Sequence, residues 1–414
     1  EKMLYDNGQL ISLYSDAYKL TRNPLYKEII EKTLNFIKTE WKTPEGGFYS
    51  ALDADSLNDK NHLEEGAFYV WQINQLKSLL NEDFDLFSQV FNINTFGFWE
   101  DENYVLIQNQ SLEHIAKLNQ LTTTELEQKK KIWEQTLYTE REKRAKPRLD
   151  DKCLTSWNAI MLKGYIDAYK ALGNQEYLEI ALENATFIIK KLWSNEGNLF
   201  HSYKNGKSSI NGYLEDYCFV IAAFISLYEV TFEEKWLHDA KQLTDYALEH
   251  FYDEQHSFFR FTSDKDDALI SVHFETEDNV IPASNSMMAK NLYQLNIYFD
   301  NSYYEKVAKQ MLNIILPNID YPSAYSNWLD LALTFSDQNK ELAICGPKAK
   351  EMNTIITQMY FPNVIVAGTE KTSNLPFLKN RFVEETDLYY VCQNKSCQLP
   401  SKTIQEVISQ LSLK

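Results

Sequence analysis

The chain has 414 residues, 44% of them hydrophobic and 24% charged, and a formal net charge of −18. Its length suits a large core in one big domain or two smaller ones, and its negative field opposes binding to nucleic acid or an anionic membrane through bulk electrostatics. No run of 18 apolar residues is present, so no membrane-spanning helix is expected.

The chain opens with Glu1, not Met, and runs straight into helical pattern, as part of a longer protein would. The first predicted helix is NGQLISLYSDAYKLT. An amphipathic helix follows from Leu25, then a polar turn and a short aromatic extended piece: LYKEIIEKTLNFIKTEWKTPEGGFYSALDAD. The stretch from Gln72 to Arg144 carries further helical pattern (QINQLKSLL, FDLFSQVF, TTTELEQKKKIWEQTLYTEREKR). The pairing then returns. LTSWNAIMLKGYIDAYKAL precedes a unit beginning at Glu176, LEDYCFVIAAFISLYEVT one beginning at Lys235, and ASNSMMAKNLYQLNIYF a fainter copy, SYYEKVAKQMLNIIL. Tyr26, Tyr177 and Trp236 align across the copies, as do Phe36, Phe187 and Tyr246, and Phe48, Leu199 and Phe258. The second helix of each pair has one apolar face, and the first is apolar almost all round. That pattern predicts an all-α-dominated (α/α)6 barrel over residues 1–338, with the first helix of each pair lining the centre. Four hairpins are explicit; a fifth and sixth are inferred from 72–144 and 324–337. An open solenoid is the alternative. After Gln338, ELAICG, NVIVAG and LYYVC read as short strands among helical stretches, so 339–414 is expected to form a small α/β cap.

The repeat also aligns candidate site residues. Asp6, Trp157 and Asp216 fall at equivalent places near the starts of first helices, followed by Asn7, Asn158 and Tyr217; the fourth copy has Ala283, Ser284 and Asn285 there. These helix starts are expected to open onto one mouth, where amide N–H groups favour a polar ligand. Capping is the simpler reading of the same residues. Ser50, His201 and Arg260 align after the second helices. A His with an Arg and a carboxylate can abstract a proton next to a sugar carbonyl; a partly exposed loop His is the alternative.

The acidic stretch YSALDADS places Asp53, Asp55 and Glu64 at positions 1, 3 and 12 of an EF-hand-like loop, but Leu57 and Asn58 stand where a ligand and the required Gly belong. Acid/base chemistry fits better. Asp53 or Asp55 is expected to pair across the mouth with Glu215 or Asp216, among flat faces from Tyr49, Phe68, Tyr69, Trp71, Trp157 and Tyr217. A solvated acidic loop remains the alternative. Tyr5 beside Asp6, and the run Arg148, Asp150, Asp151 and Lys152, are placed at the same mouth, the run also reading as a salt-bridge network. No metal and no cofactor are expected. The five cysteines are odd in number and scattered, which predicts a reducing compartment, the cytoplasm. Cys392 and Cys397 in CQNKSC lack further zinc ligands nearby and read as structural. A redox role through the cysteines is a third reading; Asp150 and Asp151 oppose a reactive Cys153.

Six motifs, EKMLYDN, YSALDADS with EEGAFYVW, RLDDKCLTSWNA, LEDY, PASNS and YVCQNKSCQLP, recur here in the order seen in thioredoxin-domain proteins related to spermatogenesis-associated thioredoxin-like proteins. The chain resembles that family over essentially its whole length. The resemblance implies a thioredoxin-like domain with a CxxC, preceding this chain and covalently linked to it. It also implies a barrel similar to six-hairpin glycosidases and N-acylglucosamine 2-epimerases. Epimerase chemistry leans on two His residues; the repeat places only His201 well, with His273 and His256 as seconds. The expected function is a carbohydrate-active barrel: a hydrolase or epimerase/isomerase acting on a sugar or glycan fragment. Asp53, Asp55, Glu215, Asp216 and His201 would perform the chemistry. Tyr5, Asp6, Tyr49, Trp71, Arg148, Asp151, Lys152, Trp157, Asn158, Tyr217, Arg260, Ser284 and Asn285 would bind substrate. The alternative is a non-catalytic glycan- or protein-binding module serving the thioredoxin-like domain.

Overall fold

Local chemistry explains the helix pairs. In the computed structural model, which describes residues 1–267 and 270–412, α1 (Leu4–Thr21) ends at Arg22 in the left-handed conformation (φ 56°). Asn23 then caps α2 (Pro24–Glu40) by accepting the Leu25 amide at 3.0 Å, and Pro24 starts the helix where its missing N–H costs nothing. Next come α3 (Ile73–Leu80), α4 (Phe84–Val90), α5 (Leu112–Leu118) and α6 (Thr123–Arg141). The same turn recurs afterwards. α7 (Thr155–Leu172) ends at Gly173 (φ 69°), and Asn174 caps α8 (Gln175–Phe187). α9 (Leu214–Thr231) ends at Phe232 (φ 53°) ahead of α10 (Lys235–His250), and α11 (Ser284–Phe299) ends at Asp300 (φ 51°), with Asn301 capping α12 (Ser302–Ile315). α13 (Ser326–Leu333), α14 (Ala349–Thr357) and α15 (Ile404–Ser412) complete the series among the described residues.

The chain divides into two units: residues 1–2 with 51–150, and residues 3–50 with 151–414. The smaller unit has its own core of Trp71, Leu76, Phe87, Leu126 and Trp133 beneath α3 to α6. The helices expected over 72–144 therefore form, around a core of their own.

In the larger unit the first helices pack side by side in the order α1, α7, α9, α11, and each also packs on its own second helix. This is the expected all-α-dominated hairpin architecture. Glycine permits the closest approach: a Cβ on Gly164 would lie 2.9 Å from the Gly8 carbonyl oxygen. α9 is enclosed on nearly every side. Of its eighteen residues only Glu215 and Glu229 are not buried. Glu229 meets Lys170 at 2.7 Å, whereas Glu215, in the first turn, meets the Ser156 hydroxyl at 3.1 Å.

The expected strands form the C-terminal sheet. Lys340–Cys345 lies between Val364–Thr369 (parallel) and Leu388–Gln393 (antiparallel), with Ser396–Cys397 beyond. The sheet closes on the C-terminal end of α9. A Cβ on Gly368 would stand 2.2 Å from the Phe232 ring, and the Tyr228 hydroxyl lies 3.3 Å from the Gly368 nitrogen. Sixteen residues of helix, about 24 Å of rise, lead from Glu215 to Thr231 at that end. Composition predicts reduced cysteines, but the structure joins Cys392 and Cys397 in a disulfide. The reason is local: Asn394 and Lys395, both at positive φ, turn the chain so tightly that the two cysteines become direct cross-strand partners.

Candidate active site at the start of α9

Three elements of the larger unit bring titratable groups together. The strand Phe200–Lys204 carries His201, the first turn of α9 carries Glu215 and Asp216, and the first turn of α7 supplies Ser156. His201 Nδ1 lies 3.0 Å from Asp216 Oδ2. Asp216 is fully buried and accepts the backbone amides of Ser156 and Tyr213, each at 2.9 Å. Ser156 Oγ donates to Glu215 Oε1 at 3.1 Å. One ligand atom from each of His201, Glu215 and Asp216 lies within 4.8 Å of the others, which also suits a divalent cation; among the described residues no other His/Cys/Asp/Glu group is so arranged.

Burial pushes the Glu215 carboxyl up to about 7, and the Asp216 charge adds to this; the Ser156 hydroxyl and His201 pull the other way. Burial of His201 disfavours its charged form, but its hydrogen bond to Asp216 and the charges of both carboxylates outweigh it, and its pKa is raised. Asp216 thus fixes the ring through Nδ1, which leaves Nε2 to meet a ligand. A carboxyl titrating near neutrality beside an oriented imidazole can give or take a proton at physiological pH.

The Glu215 shift has a consequence for stability. With the folded pKa above the ordinary 4.5, this group favours the folded state at low pH, and that contribution is lost as pH rises through about 7. Glu215→Gln should match the wild type in thermal unfolding near pH 5 and be more stable by up to about 3 kcal/mol near pH 9. Equal stability at both pH values would mean that the charged carboxylate is well accommodated.

Flat surfaces surround the cluster. The Tyr213 ring is 4.8 Å from His201 and stacks on Phe261 at 5.1 Å. Trp157, half-buried in α7, meets Tyr5 of α1 edge-on at 4.8 Å. Glu275 accepts the Ser284 amide at 3.0 Å, and its charge also raises the Glu215 pKa. Ser284 Oγ is buried without a partner. Sequence reasoning missed Ser156, Tyr213, Phe261 and Glu275. The repeat held a signal for Phe261. The hairpin bridges Lys42 to Phe48 and Trp193 to Leu199, but Tyr252 to Phe259, one residue longer. Phe261, not Arg260, is therefore the equivalent of Ser50 and His201. The backbone agrees: Leu4 N donates to Ser50 O, and Leu214 N to Phe261 O. Arg260 turns to the carbonyls of His250 and Phe251.

The remaining expected residues have varied surroundings. Asn158 is fully buried and grips both the N–H and the C=O of Phe48, at 2.8 and 3.0 Å. Asn285 does the same to Phe259, and the Tyr217 hydroxyl accepts the Leu199 amide at 2.9 Å. These side chains latch the extended pieces to the first helices. None of them caps its helix: the caps of α1, α7, α9 and α11 are Met3, Leu154, Tyr213 and Ala283. Asp6 is exposed in the first turn of α1, and Tyr49 donates its amide to Trp41. Asp151 pairs with Lys204, and the Lys152 carbonyl accepts the Ser50 hydroxyl. Asp53, Asp55, Trp71 and Arg148 belong to the smaller unit. There Asp53 pairs with Arg148 at 3.2 Å, and Trp71 lies buried under the Arg144 guanidinium. The acidic stretch folds as a hairpin, with Asp55 opposite Glu65 and the Asn58 side chain holding the turn. Among the described residues no helix is long and apolar enough to cross a membrane.

No family model matches the chain. An α-mannanase of glycoside hydrolase family 76 from Bacteroides thetaiotaomicron aligns with TM-score 0.48 and 12% identity, covering 91% of this chain and 81% of that one. A sugar epimerase from a ruminal bacterium aligns with TM-score 0.43 and 12% identity, covering 75% and 58%. Spermatogenesis-associated protein 20 of Homo sapiens is 28% identical over 97% of this chain. The chain spans 56% of that relative's length. The resemblance drawn from the six motifs thus extends along the whole chain to the spermatogenesis-associated proteins.

Proposed function

We propose that this chain is a carbohydrate-active enzyme that moves a proton next to the carbonyl of a sugar, as an epimerase or isomerase does. The carrying observation is Glu215, a carboxylate in the first turn of the buried α9, with a pKa near 7 and His201 beside it. In this reading Glu215, as carboxylate, takes the proton from carbon. His201, oriented by Asp216, which also favours its charged form, donates a hydrogen bond from Nε2 to the oxygen that becomes an enolate. Glu215 then returns the proton to the neighbouring carbon of the enediolate, while His201 passes the hydroxyl proton from one oxygen to the other, which isomerises the sugar; return to the first carbon after the enolate turns its other face gives the epimer. Tyr213 and Phe261 supply flat faces against which sugar C–H groups pack. In the full-length protein, we propose, the barrel is joined to the thioredoxin-like domain that the motifs imply.

The test is deuterium wash-in from D2O, followed by NMR, over a panel of aldoses, ketoses, N-acetylamino sugars and reducing disaccharides. The wild-type chain should exchange the proton next to the carbonyl of at least one of them. Glu215→Gln should be slower by about 100-fold or more, and His201→Asn similarly. No exchange into any sugar by the well-folded chain would overturn the reading. Sugar binding without exchange would favour a glycan-binding module.

A further inference from the structure

A second cluster of reactive groups lies in the C-terminal sheet. The Cys392–Cys397 disulfide joins adjacent strands, with Cys392 buried and Cys397 exposed. It forms part of the wall of a cleft of about 360 Å³, together with Lys340, Gln393 and Gln398. As a crosslink it does little: the cysteines are five residues apart in sequence, on strands already joined by a two-residue turn, so the loop entropy it removes is small.

Its surroundings have more to offer. Arg381 reaches both sulfurs, with Nη1 3.3 Å from Cys392 Sγ and Nη2 3.3 Å from Cys397 Sγ. The guanidinium is held over the rings of Phe377 and Tyr390, at 4.7 and 5.1 Å. A cation fixed against both sulfurs has little to gain from a neutral disulfide, and much to gain from the thiolates made when it opens. Directly opposite Cys392 in the ladder stands Glu341, 5% exposed, with Oε2 buried and unpartnered. Cross-strand partners of this kind share a face of the sheet and lie within side-chain reach. Burial raises the Glu341 pKa, which Arg381 and Lys395 only partly offset, and so favours the acid that can give up a proton.

We propose that Cys392–Cys397 is a thiol–disulfide exchange site that accepts two electrons from a dithiol, with Arg381 holding the departing thiolates and Glu341 supplying a proton. One thiolate of the dithiol attacks the exposed Cys397 Sγ. The Cys392–Cys397 bond breaks, and Cys392 leaves as a thiolate under Arg381 Nη1, taking a proton from Glu341. The second thiol of the reductant, losing its proton to water, then attacks the mixed disulfide and releases Cys397 as a thiolate beside Arg381 Nη2, where this exposed sulfur takes a proton from water. The dithiol ends as a disulfide, the two cysteines end as thiols, and the two protons lost by the reductant balance the two gained by the cysteines once Glu341 is reprotonated from water.

The chain contains its own controls. Cys153, Cys218 and Cys345 are buried free thiols, and burial raises the pKa of each, those of Cys153 and Cys345 to about 12. Alkylation of the native chain should therefore report opening of the disulfide through Cys397, the exposed member of the pair. The experiment is reduction by dithiothreitol, stopped by iodoacetamide and read by mass spectrometry, against an oxidised peptide spanning 390–399. The wild-type disulfide should open about tenfold faster than that of the peptide, Arg381→Met should lose this advantage, and Arg381→Lys should restore part of it. Glu341→Gln should slow opening severalfold. Circular dichroism would verify that each variant is folded. A wild-type rate no faster than the peptide's would overturn the proposal, as would an unchanged rate in folded Arg381→Met or a chain purified without the disulfide. None of these outcomes depends on sugar chemistry at Glu215.

Discussion

Asn158→Leu should lower the unfolding free energy by about 4 kcal/mol, because it leaves several buried polar groups without partners. Asn158 Oδ1 accepts the Phe48 amide at 2.8 Å and Asn184 Nδ2 at 3.1 Å, and its Nδ2 donates to the carbonyls of Phe48 and Leu154 at 3.0 and 2.8 Å. Phe48 is itself fully buried, so water cannot replace the lost partners. Leucine would fill the volume and satisfy none of them. The repeat supplies the comparison. Asn7, at the equivalent place in α1, is half-buried and donates to the Met3 carbonyl; Asn7→Leu should cost no more than about 1 kcal/mol. Urea unfolding of both variants measures the difference. Equal costs would mean that the grip on Phe48 contributes little to stability.

Asp216→Asn is the second large effect, and it couples stability to the site. The carboxylate accepts two backbone amides and meets His201 from a fully buried position. An amide presents one acceptor oxygen, so an N–H of the new side chain must face an N–H of the backbone. A loss of about 3 kcal/mol is expected. The charge that raises the His201 pKa also disappears, and burial, now unopposed by Asp216, should bring that pKa down. The sign follows from linkage: a raised histidine pKa contributes stability that is complete below its ordinary value and lost as pH rises through the folded value. The wild-type advantage over Asp216→Asn should therefore shrink from acid to alkaline pH. NMR titration of the His201 ring is the direct measurement, and an unchanged titration in folded Asp216→Asn would show that Asp216 does not hold the proton there. Proton exchange into a sugar should fall with it by about 100-fold.

The three latch residues and the cluster show what could be read in advance. Apolar residues at helical spacing, repeated with aromatic markers such as Phe36, Phe187 and Tyr246, marked out the hairpins, because a helix needs only its own neighbours to define its faces. The Asn residues before α2, α8 and α12 act within a few positions and were equally local. The polar residues at the starts of first helices were visible too, but not their use. Asn158 reads as a cap or a ligand until a chain segment 110 residues away is laid against it. The one-residue difference between Phe258 and Phe259 shifted the equivalent of His201 to Phe261, and only the strand pairing reveals it.

By itself, then, the sequence determined the elements whose causes lie within a turn or two: the helical hairpins, their caps and tight turns, and the strands of the C-terminal sheet. The tertiary structure alone decided three other things. It decided which polar residues are used up in holding backbone, it paired Cys392 with Cys397, and it raised the Glu215 pKa among carboxylates that look alike in sequence. The reason is physical. Hydrogen-bond satisfaction, disulfide pairing and desolvation depend on which atoms meet in space, and those atoms come from segments that the chain order keeps apart.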